Sequence, residues 1–258
     1  MAWFARRVDR VDAGDRDAAR QQFLRRQPRG AGRGAIHAAV RDRASALHLA
    51  VLRARRDRAH RDVHGAVHGA ARAWPHAMKL VMVDRDGVLN EDRADYIKHP
   101  GELVMIPQAA EACARLNGAG IKVAVVSNQS AVGRGIISPE MLERIHHQLR
   151  VELASKGAKL DLLLTCTDPP WSASDRRKPG PGMLREALGH FRLAPHEAVM
   201  IGDQLSDLRA ARAAGVTPLL VRTGKGAETQ AKGLPQDILP VSVYVSLYGA
   251  VEALLAPR

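Results

Sequence analysis

At 258 residues with a formal net charge of +12, the chain has room for one ordinary domain plus an extension, or for two small domains. It contains no run of about 18 apolar residues, which argues against a membrane span, and its charged start MAWFARRVDR lacks the apolar centre of a secretory signal. Two cysteines, Cys113 and Cys166, are too few for a disulfide scaffold and point to a reducing, cytoplasmic setting.

The charge is unevenly spread. Residues 1–77 hold 17 Arg and 7 Asp but no Lys or Glu, a net of +10, which leaves +2 for the remainder. This front segment is rich in Ala, His and Gly, and stretches such as Ala44–Arg56 have the pattern of a short amphipathic helix without suggesting a core. Its six His are irregularly spaced, as composition bias would leave them. Three origins fit such a segment. The favoured one is translated upstream sequence from a GC-rich genome, with the true start at Met78. The others are a disordered basic arm for RNA, DNA or anionic membrane and an organelle-targeting segment, which the seven Asp oppose.

From Lys79 strands and helices alternate. Leu80–Val83 (LVMV) is a short apolar run of the kind that forms a buried parallel strand. Pro107–Asn117 predicts a helix stopped by Gly118 and Gly120, and Val123–Val126 a second strand. Ser138 and Pro139 supply an N-cap and a first residue for a helix to about Lys156. Strands follow at Leu160–Thr165, Ala198–Ile201 and Pro218–Val221, with helices at Met183–Phe191 and Ser206–Ala214. Val243–Val245 and Ser246–Leu255 close the series. Such alternation predicts an α/β fold with a Rossmann-like, doubly wound parallel sheet, whose ligands bind at the carboxyl ends of the strands.

Four polar clusters stand where those strands end: Asp84-Arg85-Asp86-Gly87-Val88-Leu89-Asn90, Ser127-Asn128-Gln129, Arg177-Lys178-Pro179, and Gly202-Asp203 with Ser206-Asp207. Two carboxylates at i and i+2 on a strand exit can face one site while the side chain between them points away. Phosphoryl transfer needs such a set: a carboxylate nucleophile, a second carboxylic acid to protonate the leaving oxygen, a divalent ion, and a lysine and hydroxyl for the other oxygens. Each cluster alone has an ordinary explanation. A lone DxD is usually solvated acid, Ser127-Asn128 resembles a helix cap, Lys178 a surface residue, and Asp203 the start of a turn. Their order on successive strands sets these explanations aside.

In that order the clusters resemble the four motifs of the haloacid dehalogenase-like hydrolases. More closely, DRDGVLN, SNQSAVGRG, RKPGPGML and IGDQLSDLRAA are similar to the D-glycero-D-manno-heptose 1,7-bisphosphate 7-phosphatases, near the histidinol-phosphate phosphatases. The resemblance spans Lys79 to Gly226. It implies a domain over residues 78–258 without a large cap, Mg²⁺ dependence, and a sugar-phosphate substrate on the route to lipopolysaccharide heptose. It further implies Asp84 as nucleophile, Asp86 as general acid/base, and Ser127 and Lys178 as stabilisers of the phosphoryl group. Mg²⁺ would be held by Asp84, the Asp86 carbonyl and Asp203. Substrate contacts fall to Asn128, Gln129, Arg177 and the loop Asp92–Asp95, with Arg134 reaching for the second phosphate.

One departure concerns zinc. The family often carries a C-P-H and C-x-C zinc loop before the RKP motif, but here the four positions hold Cys166, Asp168, Ser174 and Arg176. A structural zinc site takes four thiolate or imidazole donors, so zinc is not expected; Pro169, Pro170 and Trp171 are candidates for ordering the loop instead. Asp207 is left open between helix cap and metal contact. Cys113 reads as core, His146 and His147 as a solvated pair, and Arg209 and Arg212 as a polar helix face. The expectation is a monomeric heptose-bisphosphate phosphatase without nucleic-acid or membrane partners. The rivals are another small phosphomonoester such as histidinol phosphate, a nucleic-acid-binding protein using the basic arm, and an inactive scaffold.

Overall fold

The computed structural model describes residues 78–257. The basic segment and the helix expected at Ala44–Arg56 lie outside the described residues.

Strand β1 (Leu80–Val83) is followed by α1 (Ala109–Gly118), β2 (Lys122–Asn128), a single turn α2 (Ser130–Gly133) and α3 (Pro139–Ala154). Then come β3 (Leu162–Cys166), α4 (Gly182–Phe191), β4 (Ala198–Gly202), α5 (Leu205–Ala213) and β5 (Thr217–Val221). Short α6 (Gly226–Ala231), β6 (Ser242–Tyr244) and α7 (Leu247–Leu255) complete the order. All six strands join one parallel sheet in the order β3-β2-β1-β4-β5-β6. The chain thus winds outward from β1 in one direction and from β4 in the other. That reversal opens a crevice at the carboxyl ends of β1 and β4. Among the described residues no cap domain interrupts this series.

The strand period of two divides the core. Val81 and Val83 pack on one face with Val123, Val125, Val199 and Ile201, under α1, α3 and α7. Leu80 and Met82 pack on the other with Ala124, Val126, Ala198 and Met200, against α4 and α5. All four β1 residues are fully buried, and each such aliphatic side chain contributes about 1.5–3 kcal/mol relative to exposure. With both faces covered, the strands are continuous apolar runs and end abruptly where polar residues begin.

The expected element boundaries hold to within a few residues. Helix α1 starts later than Pro107 because Gln108 takes a left-handed conformation at φ 64, and Gly120 at φ 75 follows its end. Ser138 caps α3, its hydroxyl accepting the Met141 N–H at 3.2 Å. The turns α2 and α6 are too short to carry a helical period.

His146 overturns an expectation. His147 is exposed, but His146 is fully buried, because it falls on the α3 face defined by Leu142, Ile145, Leu149 and Leu153. Burial, followed by the nearby Arg85 charge, pushes its pKa down to about 4 despite Glu143 close by. The unfolded chain, with His near 6.5, therefore takes up the proton first as pH falls. The contribution of His146 to stability should be flat above about pH 6.5 and lost progressively toward pH 4, by about 2 kcal/mol at pH 5. Urea midpoints of the parent and His146→Met at pH 7.5 and pH 5 check this; the variant should show a shallower acid loss. Arg212 also departs from the simple polar-face reading, since its guanidinium donates to the Ile238 and Pro240 carbonyls at 2.8 and 3.1 Å.

Candidate active site

The register sets Val83 of β1 beside Val125 of β2 and Ile201 of β4. One or two residues further on, the three strands deliver Asp84, Ser127 and Asp203 to the same crevice. Beside it lies a cavity of about 390 Å³, walled in part by Asp84, Asp86, Asn128, Gln129, Lys178 and Asp207.

Asp84 is buried, and its Oδ1 accepts the Arg85 N–H at 2.7 Å. Lys178 reaches the same atom with Nζ at 3.0 Å and Asp207 Oδ1 at 2.6 Å. Burial disfavours the ammonium, but Asp207 and Asp84 outweigh it and hold its pKa above the ordinary lysine value. Asn128 seats the lysine's backbone: its Nδ2 donates to the Lys178 carbonyl at 2.9 Å, and its Oδ1 accepts the Lys178 N–H at 3.1 Å.

Asp84, Asp203 and Asp207 offer oxygens within 4.8 Å of one another, the sole such group found among the described residues. Burial, then Asp84 and Asp207, push Asp203 up to about 8. Burial likewise raises Asp84 to about 6, Lys178 opposing and Asp207 and Asp86 adding to it. Asp203 Oδ2 accepts the Lys225 N–H at 2.8 Å, whereas its buried Oδ1 has no hydrogen-bond partner. Concentrated hard oxygen donors with one uncommitted atom fit a divalent cation such as Mg²⁺. Asp207 serves a double role, pairing with Lys178 while its Oδ2 accepts the Gln204 N–H at 3.0 Å in the first turn of α5.

Two glycines make room for this carboxylate group. Gly87 sits at φ 84 and Gly224 at φ 54, and a Cβ on either would run into the Asp203 carboxylate. Gly87→Ala should therefore displace Asp203 and strain the left-handed backbone. The expected result is at least a tenfold loss of activity and a lowered melting temperature, measured by phosphate release and thermal unfolding.

Asp86 turns its carboxylate away from the acidic trio toward Arg85, Asn90 and Gln129. Burial would raise its pKa, but the Arg85 charge and the hydrogen bonds from Arg85, Asn90 and Gln129 prevail and lower it. Ser127 is buried, its hydroxyl accepting from Gln129 Nε2 at 2.9 Å. Asp92 and Arg177 line the cavity. Asp95 is exposed and pairs with Arg93 and Lys98. Arg134 is exposed and stacks 4.9 Å above the Trp171 ring rather than lining the cavity. Arg93, within the expected loop, also lines it, as do Tyr96, Gln204 and Lys225, which were not anticipated. Lys225 Nζ joins Asp92 Oδ2 at 2.8 Å, a pairing of two loops distant in sequence.

The loop 166–176 is ordered by hydrogen bonds. Asp168 Oδ2 accepts the Ser174 N–H at 2.8 Å and its hydroxyl, while the Asp168 carbonyl accepts from Arg177 at 2.8 Å. Arg176 binds Glu186 and the Thr165 carbonyl. The residues present do not fit a zinc ion.

A doubly wound sheet with carboxylates, an amide-seated lysine and an acidic trio at its switch point defines a haloacid dehalogenase-like hydrolase. A family described as HAD-hydrolase-like matches residues 175–247. The chain is 42% identical over 176 residues to the D-glycero-beta-D-manno-heptose-1,7-bisphosphate 7-phosphatase of Pseudomonas aeruginosa, covering 68% of this chain and 97% of that one. Against the same-named protein of Bordetella bronchiseptica identity is 38% over 160 residues, covering 62% and 89%. A solved structure of the D,D-heptose 1,7-bisphosphate phosphatase of B. bronchiseptica, complexed with magnesium and phosphate, aligns with a TM-score of 0.66 at 37% identity, over 69% of this chain and 98% of that one. The chain belongs to this heptose-bisphosphate phosphatase family, and it is a phosphomonoester hydrolase.

Proposed function

We propose that residues 78–258 form a Mg²⁺-dependent phosphatase that removes the 7-phosphate of D-glycero-D-manno-heptose 1,7-bisphosphate through a phospho-Asp84 intermediate. The observation that carries the reading is Lys178, buried between Asp84 and Asp207 beside Asp203. This makes a nucleophile, a phosphoryl-binding cation and an acidic metal cradle in one place. The near-complete coverage of the P. aeruginosa relative by two thirds of this chain supports the domain assignment.

Asp84 attacks phosphorus, and Lys178 and the Ser127 hydroxyl stabilise the phosphoryl oxygens. Asp86 protonates the departing sugar oxygen and then takes a proton from the water that attacks phospho-Asp84. A cation held by Asp84, Asp203 and the Asp86 carbonyl would neutralise charge on the phosphoryl group. Asn128 holds the lysine, and the Asp92 loop, Gln129 and Arg177 face the sugar. Arg134, outside the cavity, is assigned to the second phosphate of the bound substrate. In this reading the protein acts as a cytoplasmic monomer on a small molecule, without nucleic acid; no helix of the described residues is long and apolar enough to cross a membrane.

The test is phosphate release by the full chain and by residues 78–258 across heptose bisphosphates, histidinol phosphate and common sugar phosphates. Preference for a heptose bisphosphate, abolished by chelation and restored by Mg²⁺, supports the reading. Preference for histidinol phosphate or another monoester refutes the heptose assignment while keeping the chemistry.

A further inference from the structure

We propose that Arg85, the residue between the two aspartates, is a positioning residue that determines which oxygen of Asp86 carries the exchanged proton. The inference rests on the preceding reading of Asp86 as general acid/base. The i, i+2 pattern sends the intervening side chain away from the site. Arg85 instead is 2% exposed, and its Nε and Nη2 both donate to Asp86 Oδ1, at 3.2 and 2.8 Å.

Asn90 Nδ2 donates to that same oxygen at 2.8 Å and also to the Glu91 carbonyl at 2.9 Å, which fixes the orientation of its amide. Three donors therefore converge on Oδ1. A guanidinium cannot turn acceptor, and Asn90 is held donor-first, so Oδ1 has no place for a proton. Oδ2 receives a single N–H, from Gln129 at 2.7 Å. The other bond of that amide nitrogen goes to the Ser127 hydroxyl, which can donate as readily as it accepts. Gln129 is thus free to turn and present its carbonyl oxygen to a protonated Oδ2.

The proton then follows one path. As an Asp84 oxygen bonds to phosphorus and the phosphorus–sugar oxygen bond breaks, the proton on Oδ2 passes to the departing oxygen. When water attacks phospho-Asp84, the Asp84–phosphorus bond breaks and the water's proton returns to Oδ2. Arg85 lines the cavity, but its Nε and Nη2 are both committed to Asp86, so its effect on the reaction runs through that carboxylate. Its Nη1 is buried without a hydrogen-bond partner. A purely structural role at so buried a position would be met more cheaply by an apolar side chain.

The experiment compares kcat/KM of the full chain and its Arg85→Gln and Arg85→Lys variants on a sugar phosphate and on p-nitrophenyl phosphate. This constant covers the steps through departure of the alcohol, and p-nitrophenolate leaves without needing a proton. General acid catalysis is worth about 10²–10⁴-fold. Arg85→Gln should accordingly lower kcat/KM for the sugar phosphate at least tenfold more than for p-nitrophenyl phosphate, with Arg85→Lys in between. Equal losses on both substrates overturn the proposal. Should circular dichroism show Arg85→Gln unfolded, the ratio measured on Arg85→Lys decides by the same criterion. An Asp84→Asn control that kept full turnover would instead refute the nucleophile reading beneath it.

Discussion

Lys178→Met is expected to lower phosphatase activity about 10²–10³-fold, the usual cost of losing one preorganised charge-stabilising donor. It should also destabilise the domain by about 3–5 kcal/mol, because removing one partner of a buried ion pair leaves the other charge uncompensated. The side chain is 2% exposed and its partners Asp84 and Asp207 are 9% and 1% exposed, so water cannot take over the lysine's role. Chemical denaturation and phosphate release measure the two effects. Adding Asp207→Asn to Lys178→Met should recover part of the stability and none of the activity. A Lys178→Met protein as stable as its parent would show that the ion pair contributes no net stability.

Asp84→Asn should separate these two effects. Activity should fall roughly 10⁴-fold or more, as when an enzyme loses its nucleophile, and labelled phosphate should no longer attach to the protein. Stability without added metal should be unchanged or higher. Burial and the neighbouring Asp207 and Asp86 charges raise the pKa of Asp84 even against Lys178, so a neutral amide relieves repulsion there. Residual activity near the parental level would remove Asp84 from the mechanism. An unfolded Asp84→Asn protein would mean that the Asp84–Lys178 contact outweighs the repulsion among the acids.

What could be read in advance follows from how each feature is encoded. The strands Leu80–Val83 and Ala198–Gly202 were legible because both faces of the sheet are covered, so strand ends and polar clusters coincide. The places of Asp84, Asp86 and Asp203 beside the crevice were legible for the same reason, whereas Lys178, well past the end of β3, was placed by the resemblance of its motif. His146 of α3 was misread although the signal was available: Leu142, Ile145, Leu149 and Leu153 mark an apolar face to which it belongs by its i+4 spacing from Leu142. Lys225 and its pairing with Asp92 left no local trace, since the two loops meet only when the sheet is built. The conformation of Arg85 was equally hidden. Its neighbours announce a catalytic motif, but only tertiary burial turns its guanidinium back onto Asp86.

The way the site is distributed along the chain also bears on synthesis. Asp84 leaves the ribosome early, Ser127 later, and Lys178, Asp203, Asp207 and Lys225 later still, so each partial chain lacks some of the groups that make the nucleophile useful. On the proposed roles, phosphate release reports that translation has passed Asp207 in α5 and that the sheet has closed around β1. A nascent or truncated protein carrying the complete first motif would have no hydrolytic activity to release before its fold is finished.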